Sequence, residues 1–207
     1  MIEIIENIFQ LIVTGSCGVY GIYKSITRDS REWLLAGLFS AAFFSGDFYW
    51  SLYILFYGDS PQLSYVSEFS WYASYIFLIM LIQVSSTPEQ RKLKHRALIV
   101  VPIFVVGMCI YFMTMGDYFS NITTAVLMGI LMYYSLQGII YHKNDEDGRR
   151  CIFIAAFTFC VVEYLLWILS VLWIGGNTAL NPYYWCDMLL SVSILMVLLA
   201  VRKAVKG

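Results

Sequence analysis

Residues 149–175 read RRCIFIAAFTFCVVEYLLWILSVLWIG. Behind the two arginines, the apolar run is long enough to cross a bilayer. About 20 residues at roughly 1.5 Å rise each cover a hydrocarbon core of about 30 Å. Its one formally charged interruption is Glu163, near the middle. Arg149 and Arg150 close one end, and the loop signal Gly175-Gly176-Asn177 closes the other. The segment reads as a membrane helix with a carboxyl inside it.

Six further runs of this kind follow on either side, at about 5–24, 33–57, 66–86, 97–115, 120–141 and 183–201, with 151–175 completing the set. The gaps are short and hold turn residues such as Gly58-Asp59-Ser60-Pro61, Thr87-Pro88-Glu89 and Gly116-Asp117. Composition agrees. Of 207 residues, 60% are apolar and 13% charged, and the mean hydropathy is +0.71. A soluble domain carries about a quarter charged residues. The expected fold is therefore an all-α membrane protein, one domain over 1–207, a bundle of seven transmembrane helices.

The basic residues orient the bundle. Taken alternately, one set of loops holds Lys24, Arg28 and Arg31, then Arg91, Lys92, Lys94 and Arg96. It continues with Lys143, Arg149 and Arg150, and ends with Arg202, Lys203 and Lys206. These are all 13 lysines and arginines, and the other set has none. Cationic loops stay in the cytoplasm, so the N-terminus is expected outside and the C-terminus inside. Dispersed as inner-face anchors, these charges leave nucleic-acid binding without support. The first run is preceded by Glu3 and Glu6 and lacks a small-residue cleavage site, unlike a removable signal peptide. Tyr57, Tyr65, Tyr118, Tyr183, Tyr184 and Trp33 suit interfacial belts.

An internal repeat is a further expectation. At an offset of 114 residues, Asn7-Ile8 matches Asn121-Ile122, Gly15 matches Gly129, Tyr20 matches Tyr134 and Trp71 matches Trp185. With a two-residue shift, Phe43 and Asp47 match Phe159 and Glu163. Spans 1–3 would then correspond in parallel to spans 5–7, a 3+1+3 design known among transporters.

Four acids stand where charge is expensive. Asp47 and Glu163 lie within spans, and Glu68 and Asp187 lie just inside the outer ends of theirs. A charge at the bilayer centre costs at least about 2.5 kcal/mol, and no lysine or arginine is expected at these depths. Protonation, hydrogen bonding, a metal ion or a bound cation must neutralise them. Aromatics and hydroxyls follow at helical spacing: Trp50 and Ser51 after Asp47, Trp71, Tyr72 and Tyr75 after Glu68, Trp167 after Glu163, and Ser191 after Asp187. Such a set suits an organic cation, through ion pairing and cation–π contact. The competing reading has Asp47 and Glu163 bonded to tyrosine hydroxyls as helix ties, and Glu68 and Asp187 solvated at helix N-termini. The polar side chains Asn121, Thr123, Thr124, Ser135 and Gln137 are expected to make interhelical bonds.

No catalytic or metal set is legible. Five cysteines lie mostly in apolar stretches without a CxxC pair, and His95 and His142 lack ligand spacing. No Ser-His pair supports an intramembrane hydrolase, and enzyme activity is not expected. No cofactor is expected either: the seventh span has no lysine before Lys203 for a retinal Schiff base, unlike microbial rhodopsins.

The stretch WLLAGLFSAAFFSGDFYWSLYILFYGDSPQLSYVSEFSWYASYIFLIMLIQ, residues 33–83, resembles the seven-transmembrane sensor regions that precede bacterial diguanylate cyclases and some histidine kinases. The matching positions are Gly46-Asp47, Tyr49-Trp50, Pro61, Ser64, Glu68, Trp71 and Tyr75. Glu68 replaces the usual Asp, and Ile76 stands where the family often has Pro. The resemblance implies a receptor-like sensor in the bacterial cytoplasmic membrane. Its ligand site would draw on Asp47, Glu163, Glu68 and Asp187, with Trp50, Trp71, Tyr75 and Trp167 as walls. It also implies an output domain beyond this sequence or a cytoplasmic signalling partner. Association of copies into a homo-oligomer is left open. The alternative is a small solute transporter of 3+1+3 architecture.

Overall fold

The computed structural model describes residues 2–58, 61, 64–143, 148–173, 176 and 178–205. Of the turn and basic residues singled out above, Asp59, Ser60, Gly175, Asn177 and Lys206 lie outside the described residues. The elements are α1 (Ile2–Arg28), α2 (Arg31–Tyr57), α3 (Tyr65–Ser85), the single turn α4 (Pro88–Arg91) and a 3-10 turn (Arg96–Ile99) leading into α5 (Val100–Met113). Then come α6 (Tyr118–Tyr141), α7 (Arg149–Leu172) and α8 (Pro182–Ala204). Among the described residues there is no strand.

Local chemistry sets the helix ends. Ser30, Thr87 and Asn181 accept from the backbone N–H of Trp33, Gln90 and Tyr183, and Gly58 ends α2 at φ 73°. Helix α1 starts earlier than the expected 5–24 and takes Glu3 and Glu6 inside it. Among the described residues, six helices are long and apolar enough to cross a membrane: α1, α3, α6, α7, α8 and the 3-10 turn continued by α5. Helix α2 is not among them, because Ser40, Ser45, Gly46, Asp47, Trp50 and Ser51 dilute its apolar run. The outside of the bundle is apolar, with Ile12, Ile26, Leu55, Ile103 and Leu199 at least half exposed, a surface suited to lipid rather than water.

Successive helices pack as neighbours in two sets, α1–α2–α3 and α6–α7–α8. The sets meet along two seams, α1 on α8 and α3 on α6, with further contact of α2 with α8 and of α3 with α7. Helix α5 packs on α6 outside this ring. The buried positions of the two sets run in step. Glu6, Gln10, Thr14, Cys17, Gly18 and Gly21 on α1 match Ser120, Thr124, Met128, Leu131, Met132 and Ser135 on α6. Ala36, Gly37, Phe39, Ser40, Phe43 and Asp47 on α2 match Ile152, Phe153, Ala155, Ala156, Phe159 and Glu163 on α7. Ser67, Tyr72, Ser74, Tyr75, Leu78, Leu81 and Ile82 on α3 match Cys186, Ser191, Ser193, Ile194, Val197, Ala200 and Val201 on α8. This last register pairs Trp71 with Leu190, not with Trp185 as the sequence offset suggests. Trp185 is exposed, and its indole bonds the Ala179 carbonyl.

Helices α1 and α2 cross at a glycine pair. A Cβ on Gly37 would lie 2.7 Å from the Ile22 backbone nitrogen, so only hydrogen fits there. The middle of the bundle is aromatic: Phe159 makes edge contacts with Phe39 at 5.3 Å, Tyr75 at 5.9 Å and Phe43 at 6.0 Å between centroids. These four rings are almost completely buried and separate the two ends of the bundle. At one end lie the arginines and lysines that flank α1–α2, α6–α7 and the end of α8. At the other lies a cluster of acids.

Candidate functional site

Helix packing at the acidic end leaves a cavity of about 610 Å³. Its walls are the first turns of α1, the second half of α2, the second half of α7 and the first half of α8, with Trp71 entering from α3. Phe43 of the aromatic layer forms part of its floor. Glu6, Asp47, Glu163 and Asp187 all line it and are 2%, 4%, 5% and 7% exposed. Trp50, Trp71, Trp167 and Tyr183 complete much of the wall.

Each acid is held by a neighbour. The Trp71 indole donates to Asp47 Oδ1 at 3.0 Å, a bond from α3 to α2. Gly46 makes it feasible, since a Cβ there would lie 2.7 Å from the Trp71 Nε1. Glu163 Oε1 accepts from the Tyr75 hydroxyl at 2.6 Å and from the Trp167 indole at 3.1 Å. Asp187 Oδ1 accepts from Gln10 Nε2 at 2.7 Å, and its carboxyl also contacts that of Glu6. The second oxygens are different. Asp47 Oδ2, Glu163 Oε2 and Glu6 Oε1 are buried without a hydrogen-bond partner among the described residues. Among the described residues, no lysine or arginine lines the cavity.

Six of the eight residues expected at a site come together here: Asp47, Glu163, Asp187, Trp50, Trp71 and Trp167. Tyr75 is not a wall; it is buried beneath the cavity and fixes Glu163. Glu68 is not brought in. It sits half-buried on the α3–α6 side, where it accepts from the Tyr72 hydroxyl at 3.3 Å. Ser67, one position away, is the residue that α3 turns inward, and it bonds the Gly46 carbonyl. Solvated termini do not describe Asp187, which is buried. Ser191 bonds the Asp187 backbone carbonyl rather than its carboxylate. The tyrosine-tie reading holds for Glu163, through Tyr75, while Asp47 is tied by an indole.

Glu6 and Gln10 went unread in the sequence because they look like a polar flank. A signal was present: Glu6, Gln10, Thr14, Gly18, Gly21 and Ser25 recur at helical spacing, a polar and small stripe along one face of α1, and all are buried. Of the polar residues of α6, Asn121 and Gln137 bond outside their own helix, Asn121 to α5, while Ser135 bonds within it. Asn121 bonds the Phe112 and Gly116 carbonyls and Ser135 bonds the Leu131 carbonyl, while Gln137 reaches the Arg91 and Leu93 carbonyls.

Two other hollows have different chemistry. One, of about 520 Å³, is an apolar groove between α5 and α6. The other, of about 440 Å³, opens at the basic end between Arg31, Glu32, Ser85 and Arg149. Among the described residues, no group of three or more His, Cys, Asp or Glu side chains could hold a metal ion. Comparisons with family models, curated proteins and solved structures find no match to this chain.

Proposed function

We propose that this chain is a receptor-like membrane protein that captures a small organic cation in its acidic cavity. In this reading α2 is the seventh span, the acidic end faces outward and the basic end faces the cytoplasm. One observation carries it: carboxyls from α1, α2, α7 and α8 share one cavity with three tryptophans and, among the described residues, no basic side chain. Desolvating even one carboxylate costs several kcal/mol unless a counter-charge arrives. A cation that entered would offset that cost and lie against the rings. Occupancy would favour one packing of α2 and α7 over another and so alter contacts at the cytoplasmic end, where a signalling partner or output domain would read them.

Transport is the second reading, and a specific observation favours it. The in-step burial of α1–α3 and α6–α8 supports a parallel 3+1+3 repeat, with α5 as connector. The cavity lies between the halves above an aromatic layer, and repeat transporters bind substrate at such a junction. Thermal-shift screening of the purified protein against organic amines tests capture: stabilisation of about 2.7 kcal/mol is expected at a hundred times Kd. Uptake of the stabilising amine into proteoliposomes would select transport. Stabilisation by no amine would remove both readings.

A further inference from the structure

Resting on the cation-capture reading, the geometry points to a narrower ligand class: we infer that the site takes an organic dication rich in N–H donors, a linear diamine or its guanidino counterpart, rather than a quaternary ammonium.

The argument follows the hydrogen-bond capacity of each group. A carboxylate offers two oxygens, and in this cavity the protein satisfies only one on each of its deep acids. Asp47 Oδ1 takes the Trp71 indole, and Glu163 Oε1 takes the Tyr75 hydroxyl and the Trp167 indole. Asp47 Oδ2 and Glu163 Oε2 have no partner among the described residues, although their side chains are about 95% buried. Glu6 Oε1 repeats the pattern on α1. Unpartnered buried acceptors call for donors. Of the three lining indoles, Trp71 and Trp167 already spend their N–H groups on the first oxygens of these acids.

A quaternary ammonium would meet the charge and stack on the rings, but it has no N–H. It would leave those oxygens unbonded. A primary ammonium brings three donors and a guanidinium five, so either can complete the acceptors. Charge count then sets the valence. Asp47 comes from α2 and Glu163 from α7, each with its own indole and its own unpartnered oxygen. One cationic group can serve one of them fully; two linked groups can serve both. The Glu6 and Asp187 carboxyls are hydrogen-bonded to one another, which needs a proton shared between them, so this pair carries one negative charge rather than two.

The test is a set of dissociation constants for the purified full chain in lipid nanodiscs. The probes are a linear four-carbon diamine, the matching monoamine, and the bis-quaternary ammonium of the same length. The diamine should bind about tenfold or more tighter than either of the others. Asp47→Asn and Glu163→Gln, which keep an acceptor for their indoles, should each bring the diamine down to the level at which the monoamine binds wild type. A bis-quaternary compound that binds as well as the diamine overturns the inference and leaves cation capture standing. So does a monoamine that binds as well. Failure of all three probes to bind removes the capture reading and this inference with it.

Discussion

Where α1 meets α8, Glu6 and Gln10 face Asp187 beside an open cavity. Where α6 meets α3, the register-matched positions Ser120 and Thr124 face Tyr72, whose hydroxyl also bonds Glu68. The decisive difference is one side chain. Tyr72 stands in α3 where the register gives Ser191 in α8. Its ring fills the seam, and its hydroxyl lies 2.7 Å from Ser120 Oγ and bonds Glu68. On the other seam that position is small, Tyr183 stands nearer the start of α8, and the long polar side chains Glu6 and Gln10 reach across from α1. The two halves thus keep one packing plan and fill their seams differently: a tyrosine to a serine at one, a glutamate and a glutamine to an aspartate at the other.

The largest expected effect tests the shared plan. Gly37 and Phe153 occupy matching positions, yet α1–α2 close on glycine against glycine, whereas α6–α7 close by seating Gly138 on the Phe153 ring. Gly37→Leu should therefore cost about 3 kcal/mol or more, through backbone collision that no rotamer relieves. A melting temperature in detergent checks this, and an unchanged value would show that the crossing is looser than described.

The next prediction separates the seams by ligand. Asp187→Asn should weaken amine binding about tenfold, because it disturbs the Gln10 and Glu6 contacts at the cavity wall. Glu68→Gln should change it by less than twofold. Equal losses from both would place Glu68 in the site and erase the contrast. A smaller effect compares two tryptophans that the raw sequence offset pairs. Trp71→Phe removes the indole bond to Asp47 and should cost about 1 kcal/mol of stability together with a few-fold loss of affinity. Trp185→Phe, at an exposed indole, should cost less than about 0.5 kcal/mol and leave affinity unchanged.

Much of this was legible in the sequence, and what was not has a physical cause. Long apolar runs and the one-sided basic loops locate the helices, because lipid and positive charge impose strong constraints on length and loops. Asp47, Glu163 and Asp187 stand out as acids in those runs. Helix rotation is less visible. Helix α3 is apolar on nearly every face, so hydropathy could not tell that Ser67 rather than Glu68 turns inward. Looking along the acid's own helix finds Trp167 for Glu163 but not Trp71, which serves Asp47 across a helix boundary. Glu6 was hidden by its place near the chain start, although its stripe with Gln10 and Thr14 was in view.

Equilibrium binding of a labelled diamine to wild-type protein and to the double variant Asp47→Asn, Glu163→Gln tests the central claim most directly. Wild type should bind saturably, one ligand per chain, and the double variant should lose binding while its melting temperature stays within a few degrees of wild type. A folded double variant that binds as well as wild type would contradict the claim.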